Sequence, residues 1–210
     1  MIKKHWKILL ITSIIILLPI LAGLALWDRL PERVPIHWNA QGEVDDWGSK
    51  AFFVFGMPSI LLGFQWLCVL GTLADPKKTN HPDKILHLVF WIIPVLSILL
   101  SVLTYLAALG KDVQMEVVMP VFMGLVFVII GNYLPKCKQN YTIGIKIPWT
   151  LNSEENWNRT HRFAGWLWVA CGIVMMLTGF FGAFWVFFIL VFVMVLPPFI
   201  YSYLLHRKGI

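Results

Sequence analysis

Residues 131–162 read G-N-Y-L-P-K-C-K-Q-N-Y-T-I-G-I-K-I-P-W-T-L-N-S-E-E-N-W-N-R-T-H-R, the longest polar interruption in an otherwise apolar chain. The stretch leaves an apolar run at Asn132, turns at Pro135, and sets Lys136, Lys138, Lys146, Arg159 and Arg162 against only Glu154 and Glu155. Short loops with that excess of Lys and Arg stay on the inner side of a membrane. Pro148 steers Ile147 away from helical angles, so residues 143–151 are expected to be extended or turning, with Gly144 as a swivel. Asn152 is the expected N-cap of the next helix, and Glu155 the residue that closes a capping box. A helix from there to about Thr178 measures roughly 40 Å at 1.5 Å per residue, longer than a hydrocarbon core of about 30 Å. Its first two turns are therefore expected among headgroups or in the cytosol. Glu155 and Arg159 stand i,i+4 in the favourable order, and Trp149 and Trp157 suit an interface.

Working outward, 59% of the 210 residues are hydrophobic and 13% charged, with a mean hydropathy of +0.75; this is not the composition of a soluble domain. Apolar runs long enough to span a bilayer fall at 8–27, 52–73, 85–109, 113–134, 163–178 and 183–205. The fold class is accordingly an all-α integral membrane protein with six transmembrane helices. The first run contains Pro19 and lacks a small-residue cleavage site, so it is expected to be an uncleaved anchor. With both termini inside, the inner segments hold thirteen of the seventeen cations and the outer ones seven of the eleven acids. The opposite orientation would place most cations outside, so N-in, C-in is expected. The net charge of +6 then reflects this bias and attraction to anionic lipid rather than nucleic-acid binding. Cys68, Cys137 and Cys171 form no disulfide framework.

The first outer loop, 28–51, is dense in turn formers. Residues 34–38 read as an extended segment and 39–42 as a turn, so a small structured cap is expected. Its aromatics suit a plain connector lying in the outer interface. They also suit a recognition surface, because rigid aromatics beside acids accommodate a cationic or amphipathic peptide. The outer candidates are Pro35, His37, Trp38, Gly42, Asp45, Asp46 and Trp47. Gln65, the most polar side chain in any span, is expected to bond a neighbouring helix. His81, Asp83 and His87 can be drawn as metal ligands, but Pro82 and a helix start at Asp83 explain them more simply. No metal or cofactor is expected. Gly165, Gly172 and Gly179 recur every seven residues, so a neighbouring helix can approach closely there, most simply within one monomer. Spans five and six should be joined tightly near 179–183.

The inner loop holds Lys136, Asn140, Gly144, Lys146, Pro148 and Trp149, then Thr150, Trp157, Arg159, Thr160, His161 and Arg162. Anchoring and topology account for its cations. Its specific polar and aromatic shapes point further, to a basic platform that docks a cytoplasmic protein or a lipid headgroup. His161 is expected to be hydrogen-bonded structure rather than a general base.

The strings G-N-Y-L-P-K, N-Y-T-I-G-I-K-I-P-W-T-L and W-N-R-T-H-R resemble the C-terminal signature of the bacterial SdpI-like membrane proteins, the sporulation-delaying-toxin immunity family. L-P-E-R-V-P-I-H-W-N-A-Q-G-E-V-D-D-W-G-S-K, at 30–50, resembles the N-terminal module that often accompanies it. The resemblance implies modules at 1–75 and 76–210 in a bacterial plasma membrane, and a role in resisting a secreted toxic peptide. It also implies that loop 135–162 faces a cytoplasmic repressor while the outer loop meets the peptide.

No ionisable residue lies near the middle of any span, which disfavours an ion-coupled transporter. The common catalytic signatures, H-E-x-x-H, G-x-S-x-G, the P-loop and Cys-x-x-Cys, are missing, so no enzyme is expected. Two rivals stay open: a membrane enzyme acting on lipid headgroups through Arg159, His161 and Arg162, and a transporter of the peptide or a small molecule.

Overall fold

The computed structural model describes residues 2–39, 41–81, 83–181 and 184–210, with side chains from His5 onward other than those of Lys78 and Phe184. Pro82, and Gly182 and Ala183 of the expected turn between the last two spans, lie outside the described residues. In order the elements are α1 (Ile2–Ala25), β1 (Arg33–Trp38), β2 (Val44–Ser49), α2 (Met57–Ala74), α3 (Asp83–Ala108), α4 (Met115–Tyr133), α5 (Pro148–Asn152), α6 (Glu154–Gly179) and α7 (Phe184–Arg207). A π-helical turn, Phe52–Gly56, leads into α2. Among the described residues six helices are long and apolar enough to cross a membrane, as the hydropathy requires.

Two compact units emerge, one of Met1–Leu73 with Leu86–Gln114 and the other of Ala74–Ile85 with Met115–Ile210. In the first, a few buried polar bonds join the helices. Pro94 lacks an N–H, so the carbonyl of Phe90, four residues back in α3, loses its helical donor. Gln65 of α2, fully buried, fills that vacancy through Nε2 at 2.9 Å and also reaches Thr12 Oγ1 at 3.4 Å. Ser97 donates to the Ile16 carbonyl and Tyr105 to that of Pro19, each at 3.0 Å. Apolar surroundings favour such pairing, since no water satisfies the orphaned groups. The expected helix-bonding role of Gln65 is thus realised, and its partner is a proline-freed carbonyl.

The segment expected to cap the first loop is a two-stranded antiparallel hairpin, β1 against β2. Asn39 shapes its turn, accepting the N–H groups of Gln41 and Glu43 on its side-chain oxygen at 2.9 and 3.0 Å. Val34 anchors it, buried with Leu30, Phe53, Val54 and Tyr105.

In the second unit α6 packs along α4 and against α7. The seam with α4 is built on the small-residue stripe. A Cβ on Gly172 would lie 2.6 Å from the Gly124 carbonyl oxygen, and one on Gly165 would lie 2.7 Å from that of Gly131. Gly179 faces Pro120. Backbones approach closely only where neither helix carries a side chain, so the seven-residue glycine spacing is an intramolecular seam.

Candidate functional site

Residues 134–153 form a compact, internally bonded clasp at the loop ends of α4 and α6. Asn140, fully buried, organises it. Its Oδ1 accepts from the N–H groups of Thr142 and Ile143 at 2.9 and 2.7 Å, and its Nδ2 donates to the carbonyls of Lys138 and Ile143. This is side-chain mimicry of a backbone turn, the usual employment of Asn in a loop. Gln139 donates to the carbonyls of Thr150 and Leu151 at 2.8 and 3.0 Å. Thr150 accepts from the Ile147 N–H and donates to the Ile145 carbonyl.

The helix start differs from the expectation. Asn152 is not the N-cap of α6, and Glu155 closes no box with it. Pro148 opens the short α5, which consumes Asn152, and Ser153 becomes the cap by accepting the Asn156 N–H on its side chain. Pro in the first turn of a helix loses nothing, because that N–H has no intrahelical partner; so the expected non-helical stretch stops at Ile147, itself extended at φ −122° and ψ 159°.

Two rings lock the clasp onto α6. Trp157 and His161, both fully buried, stack with centroids 4.0 Å apart. Trp157 Nε1 donates to the Cys137 carbonyl at 2.7 Å. His161 Nδ1 lies 2.8 Å from the Trp157 carbonyl, and Nε2 accepts the Ile145 N–H at 2.9 Å. That pair of bonds selects the neutral tautomer with its proton on Nδ1 and leaves no lone pair for base catalysis. Gly144 sits against the pair at φ +120°, where a Cβ would come within 2.5 Å of His161 Nε2; only glycine suits both the angle and the space.

A second strand of chain completes the site. Asp75, 2% exposed, reaches across from the segment before α3. Its Oδ2 accepts from the Tyr141 N–H at 2.9 Å and the Thr142 hydroxyl at 2.8 Å, and its Oδ1 from the Lys77 N–H at 2.7 Å. Burial raises the carboxyl's pKa, but these three bonds and nearby His81 outweigh it and hold the group below its usual range. His81 Nε2 is 3.2 Å from Thr142 Oγ1 and 3.4 Å from Asp75 Oδ2, while its buried Nδ1 has no partner among the described residues. Protonating that ring would bury an unmatched N–H; burial accordingly pushes its pKa down against the pull of Asp75. Burial also pushes the Cys137 thiol up to about 11, against an Asn140 hydrogen bond that lowers it. Asn80 donates to the Gln139 carbonyl at 2.7 Å.

Of the inner-loop candidates, Asn140, Thr150, Trp157, Thr160 and His161 are buried. Lys136, Lys146, Pro148, Arg159 and Arg162 are exposed, with Gly144 and Trp149 half-buried. Trp149 rests on α7, within 5.2 Å of the Phe199 ring centre and 5.1 Å of that of Tyr203. Lys146 Nζ donates to the Thr142 carbonyl, and Arg159 pairs with Glu155. Asn156 and Ser202, missed in the sequence, tie α6 to α7: Asn156 Nδ2 donates to the Ser202 carbonyl, and the Ser202 hydroxyl donates back to Asn156 Oδ1 at 2.6 Å. Only an Asn in the first turn of an otherwise apolar-bound helix hinted at this.

The hairpin exposes His37, Asp45, Asp46 and Trp47, with Trp38 and Gly42 half-buried and Pro35 buried beneath. His37 Nδ1 and Asp45 Oδ1 are 2.6 Å apart, and Arg33 donates to the Trp47 carbonyl. Among the described residues no group of three or more His, Cys, Asp or Glu side chains is placed to hold a metal.

The sequence model of the SdpI/YfhL protein family matches residues 136–202, the clasp with α6 and most of α7. That of a domain of unknown function (DUF1648) matches 14–62, which takes in the hairpin. The Immunity protein SdpI of Bacillus subtilis (strain 168) is 30% identical over 172 residues, covering 82% of this chain and 81% of that protein. No solved structure matches. That 30% identity over four fifths of both chains, joined to six spans and a clasp built from the signature residues, makes this chain a multi-pass membrane protein of the SdpI family.

Proposed function

We propose that this protein confers resistance to a secreted toxic peptide from within the bacterial plasma membrane. The observation that carries the reading is the 30% identity over 82% of the chain to a protein named for immunity. In this reading the hairpin is outside and the clasp inside, as the cation distribution requires. Asp45, Asp46 and Trp47 then offer an incoming cationic amphipathic peptide two carboxylates and a ring that is 43% exposed. Opposed charge speeds encounter, and the aromatic supplies buried area. The exposed cations and Pro148 of the inner loop form the face for a cytoplasmic repressor. The buried signature residues hold that face in shape rather than touch the partner.

The test is survival of a toxin-sensitive bacterium expressing the protein and challenged with the peptide. Asp45→Asn with Asp46→Asn, and separately Trp47→Ala, are expected to reduce protection at unchanged membrane abundance. Full protection by both variants would remove the hairpin from the peptide face; absence of protection by the intact protein would refute immunity to that peptide. Repressor recruitment is read separately, by membrane retention of the repressor with Lys146→Gln and Pro148→Ala.

A further inference from the structure

Beside the glycine seam lies a cleft of about 240 Å³, bounded by Gly131, Asn132 and Lys136 on the α4 side and by Gly165, Trp166 and Val169 on α6. Its floor is the backbone of Gly131 and Gly165, which approach too closely for either to carry a side chain, with the Pro135 ring against Gly165. Trp166 is 75% exposed at its edge. Arg162 stands one helical turn before Trp166, on the same face of α6 as Gly165 and Val169 by the i, i+3, i+4, i+7 rule. Neither Lys136 nor Arg162 pairs with a carboxylate among the described residues, whereas neighbouring Arg159 does. Lys136 Nζ lies 5.1 Å from the Tyr133 ring centre, on an aromatic that orients it without neutralising it.

We propose that this cleft binds an anionic glycerophospholipid, its phosphate between Lys136 and Arg162 and the start of one acyl chain along the Gly131–Gly165 floor. The depth is right. The 26 residues of α6 extend about 39 Å, against a hydrocarbon core of about 30 Å, so its first turns reach the headgroups. Trp166, one turn further in, occupies the level at which Trp side chains settle. Two cations without counter-charges call for an anion, and an apolar trough running on from them calls for an anion with a hydrocarbon tail. Free phosphate would use only the first feature, and a zwitterionic lipid would oppose its own ammonium to the two cations. The site shares Lys136 and Arg162 with the face proposed for the repressor but opens on the flank of the helices, and no part of it depends on the immunity reading.

The test uses full-length protein in mixed micelles holding phosphatidylglycerol and phosphatidylcholine of matched chains in equal amounts, with retained lipid identified by native mass spectrometry. The intact protein is expected to retain phosphatidylglycerol about thirtyfold over phosphatidylcholine, the order expected from two interfacial cations. Lys136→Gln with Arg162→Gln should bring the ratio near unity, while Lys111→Gln, an exposed cation of the other unit, should leave it unchanged. Val169→Phe, which fills the trough and keeps both charges, should reduce retention of both lipids. Excess inorganic phosphate should displace little. Equal retention of the two lipids by the intact protein overturns the proposal. So does an unchanged ratio in the double variant, a matching loss in Lys111→Gln, or full displacement by phosphate, which would make this a soluble-anion site.

Discussion

Removing the carboxylate of Asp75 should open the clasp while leaving the six helices in place. In Asp75→Ala the Tyr141 N–H and the Thr142 hydroxyl lose the acceptor they reach at 2.9 and 2.8 Å. A buried donor left without a partner costs about 1–3 kcal/mol, and hydrogen bonds to a charged acceptor lie in the upper part of the range; these two bonds are partly buried. Allowing Thr142 to turn toward Asn140 Oδ1, already 3.4 Å away, the net destabilisation comes to about 3 kcal/mol, or about two orders of magnitude in the local opening equilibrium. Cys137 reports that opening. It is 3% exposed, and its thiol pKa stands at about 11, so it reacts with a maleimide only when the clasp unfolds. In a background with Cys68 and Cys171 replaced by Ala, Asp75→Ala should raise the Cys137 labelling rate about a hundredfold. Helicity by far-ultraviolet circular dichroism should be unchanged. A rate within about threefold of the parent's would show that Asp75 does not hold the clasp, and would refute the energetic reasoning behind it.

Other outcomes follow from the same structure. Asp75 and His81 both keep fewer protons folded than unfolded, so their stabilisation is complete above the unfolded histidine value of 6.5. It is lost as pH falls, first through His81 and then through Asp75; the thermal midpoint should drop on acidification from about pH 7.5 to about pH 5, and a flat or rising profile would contradict the assignment. Gly172→Leu drives a side chain into the Gly124 carbonyl and should destabilise by about 1–3 kcal/mol or more, whereas Gly63→Ala, with open space around it, should be neutral; denaturation in detergent compares them. Gln65→Leu strips the donor from the carbonyl freed by Pro94 and should cost about 1 kcal/mol, the scale of polar pairs between membrane helices. Equal stability of that variant would show Phe90 O to be satisfied otherwise.

What the sequence disclosed was whatever local pattern governs. Apolar runs located six helices because a bilayer demands length and hydropathy of each one separately. The glycine spacing located the α6 seam because close approach has a single chemical requirement. The N-cap moved by one residue because Pro148 opens a short helix first, and both Asn152 and Ser153 are competent caps, so local preference could not choose between them. Strand β2, V-D-D-W-G-S, has little intrinsic strand character; it pairs because the Asn39 turn presents it to β1. Exposure within the N-Y-T-I-G-I-K-I-P-W-T signature was the least legible. Its polar residues look outward-facing in one dimension, yet Asn140 and Thr150 are consumed by backbone groups. Asp75, which closes the clasp from 66 residues before Tyr141, carries no local sign of its partner.

The claim on which the account rests is that this member of the SdpI family protects the cell that carries it. Its most direct measurement is the killing curve of a toxin-sensitive bacterium exposed to the secreted peptide, with and without this protein in its membrane. The account predicts survival that requires the protein and is reduced with Asp45→Asn, Asp46→Asn at equal abundance. Identical killing with and without the protein, once its presence in the membrane is established, would contradict it.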